Sequence, residues 1–133
     1  MTDEIAPALL KVEPATIRAY AQLTDDFNPI HLDPVFAAST PMGGVIAHGT
    51  MSICLLWQAV YRAFGAQAFE SVLDLDIRFL KPVREGETLS AGGRRNAEVP
   101  GCYDVWVRGE NGEDRLAGQL RVAAAAGGLA HDA

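Results

Sequence analysis

Apolar and polar positions change their period along this chain, and the changes mark its elements. Near the start, "PALLKV" reads as a short strand. "PATIRAYAQLT" follows, with Pro14 at a helix start and Ile17, Tyr20 and Ala21 at helical spacing. From Ala47 to about Phe64, "AHGTMSICLLWQAVYRAF" holds one permanently charged side chain, Arg62, and its apolar residues cover nearly every helical direction. A helix without a polar face is predicted to be buried all round. Beyond it the period shortens. "SVLDLDIRFLKPV" alternates, "ETLSAGGRRNAEV" and "YDVWVRGENG" read as further strands, and the Asn-Gly step in "ENGE" turns the chain into "DRLAGQLRVAAA".

One long apolar helix with an antiparallel sheet implies an α+β domain in two layers, the sheet curling around the helix to bury it. Hot-dog folds have this form: a curved antiparallel sheet wrapped around one long buried helix. The 133 residues suffice for one such domain, expected over residues 1–133, with a loose Ala/Gly-rich tail from about residue 125. The open edges of so small a sheet favour pairing with a second copy, as a homodimer or higher homo-oligomer.

The charge is concentrated between the first helix and the long one, in "LTDDFNPIHLD". Asp26 and His31 sit five apart, which is the wrong spacing for a shared helical face. Pro29 disfavours helical geometry at Asn28, so the piece between them is expected to be extended or turned, bringing both side chains to one side. "DPVFAAS" then forms a short helix with Asp33 as its cap, which leaves His31 in an extended piece between two helices. A carboxylate and an imidazole facing one water make an acid/base pair near neutral pH. Asn28, with amide donors and an acceptor, is placed to orient them. Gly49 opens the long helix, where the unpaired amides and the dipole suit a developing oxyanion. Taken singly, each residue also has a bland reading: Asp26 and Asn28 as turn caps, His31 as a buried histidine, Gly49 as close packing.

Composition narrows the function further. A formal net charge of −6 argues against nucleic acid, which demands a basic footprint. Arg78, Lys81, Arg84, Arg94 and Arg95 nevertheless cluster in the second half, where they could meet an anion. Cys54 and Cys102 lack metal spacing and are expected as reduced thiols. No apolar run reaches the length of a membrane span, and "MTDEIAP" is not a secretory signal. A cytoplasmic protein is expected, with no membrane association.

"YAQLTDDFNPIHLDPVFA" is similar to the signature of the MaoC-like, (R)-specific enoyl-CoA hydratases, which runs aromatic, apolar, Ser/Thr, Gly, Asp, x, Asn, Pro, apolar, His. "GGVIAHGTMS" and "RFLKPVREGETL" resemble the family's next two motifs, in its order and spacing. The resemblance implies a hot-dog fold with Asp26 and His31 as the catalytic dyad and Asn28 as their support. It also implies that the Gly49 amide binds the thioester carbonyl, and that the acyl-pantetheine arm lies in a tunnel near a dimer interface. The implied reaction adds water to a trans-2-enoyl thioester, or removes it from a (3R)-hydroxyacyl thioester, with no cofactor and no metal. Coenzyme A or acyl carrier protein bears the acyl group as substrate. Asp25 departs from the pattern, standing where many members carry Gly. Trp57 stands where certain relatives have a small residue, and in an acyl tunnel it would shorten the accepted chain.

Two rival functions fit the same fold: acyl thioester hydrolysis, which hot-dog folds also support, and a non-catalytic acyl-binding hot-dog subunit. The full Asp-x-Asn-Pro-x-His pattern favours hydration over both. A His/His/Asp metal site built with His48 lacks any repeated ligand spacing, so His48 is expected to be structural. Ser52 lacks the Gly-x-Ser-x-Gly elbow of a nucleophile. His131 falls in the tail.

Overall fold

The computed structural model describes residues 3–123, and the tail expected to be loose lies outside the described residues. Strand β1 (Glu4–Lys11) leads to helix α1 (Pro14–Thr24), two short helices α2 (Pro29–Leu32) and α3 (Pro34–Ala38), and the long helix α4 (Gly49–Phe64). A 3-10 turn (Gly65–Gln67) and helix α5 (Ala68–Ser71) carry the chain into β2 (Val72–Phe79), β3 (Thr88–Arg95), β4 (Cys102–Arg108) and β5 (Asp114–Val122). The strands form one sheet in the order β1-β3-β4-β5-β2, antiparallel at every pairing.

The alternation read in the sequence decides which side faces the helix. Along β4, Tyr103, Val105 and Val107 are buried, while Asp104, Trp106 and Arg108 between them are only partly so. Leu55, Leu56, Ala59 and Val60 of α4 share one core with Ile5, Ala8, Leu89, Ala91, Leu116 and Leu120 from three strands. Each large aliphatic chain buried there stabilises the fold by roughly 1.5–3 kcal/mol. At Gly118 in β5, a Cβ would lie 2.0 Å from the Asp76 carbonyl of β2, so only glycine permits that strand pairing.

The long helix is not buried all round within one chain. It packs against β1, β3 and β4, and Cys54, Trp57, Gln58 and Tyr61 on its other face are exposed. Strand β2 is an edge, and Leu73 and Phe79 on it are exposed as well. The sequence pattern responded to apolar content around α4, and this chain alone covers only part of that content.

The second difference concerns His31, which lies inside α2 rather than in an extended piece. Asn28 caps that helix, its Oδ1 accepting the Ile30 amide at 3.1 Å, and Pro29 occupies the first turn where no amide hydrogen is needed. Pro29 therefore starts a helix here instead of preventing one. Asp33 caps α3 as expected, its Oδ1 accepting the amides of Val35 and Phe36.

Candidate active site

Helix α1 ends where the site begins. Asp25 adopts the left-handed conformation (φ 56°) and donates its amide to the Ala21 carbonyl, so it serves as a C-terminal stop although most side chains disfavour that geometry. The Asp26 amide donates to the same carbonyl at 3.0 Å. Asp25, which stands at the Gly of the signature read in the sequence, thus keeps a glycine-like backbone.

The next residues are stitched together by local hydrogen bonds. The Asn28 amide donates to Asp26 Oδ1 at 3.3 Å, and the Asn28 side chain caps the helix that holds His31. Asn28 therefore joins the carboxylate to the imidazole's backbone. His31 Nδ1 lies 2.7 Å from the Ile46 carbonyl. A carbonyl only accepts, so Nδ1 carries the hydrogen and, in the neutral ring, Nε2 presents a lone pair. The Ile46 amide donates back to the Ile30 carbonyl at 3.3 Å, tying α2 to the segment that enters α4.

A carboxylate oxygen of Asp26 and ring nitrogens of His31 and His48 lie within 4.8 Å of one another. Asp26 and His31, expected as a pair, are brought together. His31 and Gly49 both line a cavity of about 320 Å³, with Ile46, Ser52, Phe79 and Lys81 in the same wall. Gly49 is the first residue of α4, so its amide belongs to the helical turn that has no intrahelical acceptors. A Cβ at Gly49 would stand 3.3 Å from the Phe79 ring.

His48, set down as structural, is buried at the centre of these contacts. Its Nε2 lies 3.0 Å from the Asp26 carbonyl, and its ring stacks on His31 with centroids 3.9 Å apart and planes at 27°. Asp26, His31 and His48 form a possible ligand cluster by proximity. One nitrogen of each ring already donates to a carbonyl.

Tyr20, the aromatic residue of the first motif, lies beside this cluster. Its hydroxyl donates to Thr50 Oγ1 at 2.7 Å, and its ring meets His48 at 5.1 Å. Burial pushes its phenol above the ordinary value, with the Cys54 thiol and the Asp26 charge acting in the same direction against the Thr50 hydrogen bond. Tyr20 is thus held as a neutral donor.

The basic cluster of the second half is largely occupied. Lys81 pairs with Glu113 at 3.0 Å, Arg84 donates to the Met42 carbonyl, Arg95 pairs with Asp3 and Arg94 lies over the Trp106 ring. Trp57 lines a different cavity of about 650 Å³ together with Tyr61 and Val72, and neither His31 nor Gly49 reaches that wall.

The family model for the MaoC like domain matches residues 4–113. The chain belongs to the MaoC-like dehydratase family. Over 101 residues it is 36% identical to 3-hydroxyacyl-thioester dehydratase X of Mycobacterium tuberculosis, a match that takes in 76% of this chain and 33% of that protein. Over 116 residues it is 36% identical to nodulation protein N of Rhizobium meliloti, covering 77% of this chain and 71% of that one. The solved structure of the (R)-hydratase from A. caviae involved in PHA biosynthesis superposes with a TM-score of 0.75 at 25% identity, over 90% of this chain and 92% of that one. The hot-dog fold is common to both. This MaoC-like chain spans about a third of dehydratase X, 33% of its length.

Sequence reasoning missed three parts of this MaoC-like site. His48 was legible only as the residue before Gly49, Phe79 as the end of a strand, and Ser52 as a failed nucleophile. None carries a local signal of its own, because all three reach the cavity or its neighbour through tertiary packing.

Proposed function

We propose that this chain is an (R)-specific enoyl thioester hydratase, or runs the reverse dehydration of a (3R)-hydroxyacyl thioester. The observation that carries the reading is the approach of the Asp26 carboxylate to the His31 imidazole beside a cavity whose wall includes Gly49, the first residue of α4. Hydration puts hydroxide on C3 and a proton on C2. One water held between Asp26 and His31 supplies both: its oxygen bonds to C3, its proton goes to the pair, and the pair returns a proton to C2. As C3 is attacked, charge builds on the thioester oxygen. The Gly49 amide and the positive end of the α4 dipole suit that charge, and a donor of this kind is typically worth ~3 kcal/mol. None of these steps calls on a metal or a redox cofactor.

The acyl group is carried by coenzyme A or by an acyl carrier protein. The working unit is a homodimer, because the β2 edge and its exposed Leu73 and Phe79 leave backbone groups and apolar surface for a second copy. Light scattering on the purified chain reads that assembly.

The deciding experiment follows crotonyl-CoA by loss of enoyl absorbance, with a thiol reagent present, in wild type, Asp26→Asn and His31→Ala. Hydration without thiol release is expected, with each variant slower by ~10²–10⁴. Thiol release would mean hydrolysis instead. A pure wild-type chain that leaves crotonyl-CoA untouched would favour the non-catalytic subunit, and near-normal rates in both variants would remove the dyad.

A further inference from the structure

His48 makes more contacts with the catalytic apparatus than a packing residue needs. Only 3% of it is exposed. Its Nε2 faces the Asp26 carbonyl at 3.0 Å, and since a carbonyl only accepts, Nε2 carries the hydrogen. One neighbour of its ring is His31, stacked at 3.9 Å, and another is Tyr20, tilted at 59° with centroids 5.1 Å apart. Its backbone is the N-cap of α4, its carbonyl accepting the Met51 amide at 3.1 Å, and its chain neighbour is Gly49.

The choice of histidine has a cost that packing alone would avoid. Nδ1 of His48 is buried with no hydrogen-bond partner among the described residues. A phenylalanine or leucine would fill the space without leaving a polar atom unsatisfied. What those residues lack is a donor on the far side of a flat ring, aimed at the Asp26 backbone.

We propose that His48 is the positioning residue of the dyad. It holds the Asp26 main chain by its Nε2–H, presses His31 into register by its ring face, and ties both to the Gly49 turn through its own backbone. This rests on the hydratase reading, in which Asp26 and His31 are the reacting groups. The opposite restraint on His31 is the Ile46 carbonyl, so the imidazole is clamped from two directions on a helix of four residues. Such a short helix cannot fix a side chain by its own cooperativity. Misplacement by about 1 Å costs on the order of a hundredfold in rate.

Three variants of the full chain separate the two jobs of His48. His48→Gln keeps an amide donor and loses the ring, His48→Phe keeps the ring and loses the donor, and His48→Ala loses both. With crotonyl-CoA, each is expected to lower kcat at least tenfold with KM within about twofold, Ala most, the two others recovering part of the loss. In a His31→Ala background His48→Gln, which loses only the ring, should have much less effect, since the ring then has no imidazole left to press. A rise in KM at constant kcat, wild-type rates, or an undiminished loss in the His31→Ala background would overturn the proposal.

A second readout needs no turnover. In a folded His48→Phe or His48→Gln protein, the ring ¹⁵N resonances of His31 should move from their wild-type positions, and unchanged resonances would overturn the clamp. If wild type hydrates nothing while the His31 resonances still move, the hydratase reading fails and the contact stands. If no variant folds, His48 is a packing residue and the proposal falls.

Discussion

The imidazoles of His31 and His48 lie face to face with their centroids 3.9 Å apart, one from a four-residue helix and the other from the cap of the longest helix. The stack fixes the distance between two elements that the chain connects only through α3 and a loop. It places Asp26 and His31, the proposed acid/base pair, beside the α4 N-terminus.

Asn28 is the local half of that arrangement. Its side chain caps α2 and its amide reaches Asp26. Asn28→Ala should destabilise the fold by about 1 kcal/mol, the usual value of an N-cap, and lower kcat as His31 loses its seat. Asn28→Asp keeps the acceptor oxygen and should recover most of the stability. Urea unfolding alongside crotonyl-CoA kinetics measures both, and a kcat unchanged in Asn28→Ala would detach Asn28 from the dyad.

Gly49 faces Phe79 across the cavity wall. Its substitution by alanine sets a methyl group 3.3 Å from the ring, closer than such contacts ordinarily run. Gly49→Ala is expected to cut kcat/KM about tenfold or more by pushing the wall into the cavity, and adding Phe79→Leu should restore part of it. If Gly49→Ala is as active as wild type, a ligand does not approach the main chain there.

Trp57 tests where the acyl chain runs. The cavity it lines is separate from the one lined by His31 and Gly49. Trp57→Ala is therefore expected to leave the chain-length preference unchanged when four-carbon to longer enoyl thioesters are compared. A shift towards longer chains would show that the two cavities join around the bound substrate.

Alkaline pH should loosen the fold. Burial raises the Cys102 thiol above its ordinary value, with the Asp104 charge adding to it, and burial likewise raises the phenols of Tyr103 and Tyr20. The folded state holds these protons more tightly than the unfolded chain, so their stabilisation is complete below the unfolded values. It is lost as pH rises from about 9 upward through the folded values. Urea midpoints should fall between about pH 8 and about pH 10.5. Tyr103→Phe should shrink the fall, and an identical fall in that variant would remove Tyr103 from the account.

Much of this protein is local. The alternation of "VLDLDIRF" and "CYDVWVR", the Asp33 cap and the proline at the start of α1 all follow from side-chain chemistry within a few residues, and the structure keeps them. The Asp-x-Asn-Pro-x-His spacing belongs to the same class, because Asn28 and Asp26 bond within their own turn. Pro29 is the exception: a proline that disfavours helix behind it also opens one ahead of it, and the Asn28 cap decides between the two.

The sequence alone settled which residues carry charge, which faces are apolar and which segment holds the candidate chemistry, since those depend on residue type and short-range spacing. Tertiary structure decided that His48 stacks on His31, that Phe79 walls the Gly49 turn, that α4 keeps an exposed flank, and that Trp57 lines another cavity. Those contacts join residues far apart in the chain, and their geometry depends on how α2, α4 and β2 dock, which no local preference encodes.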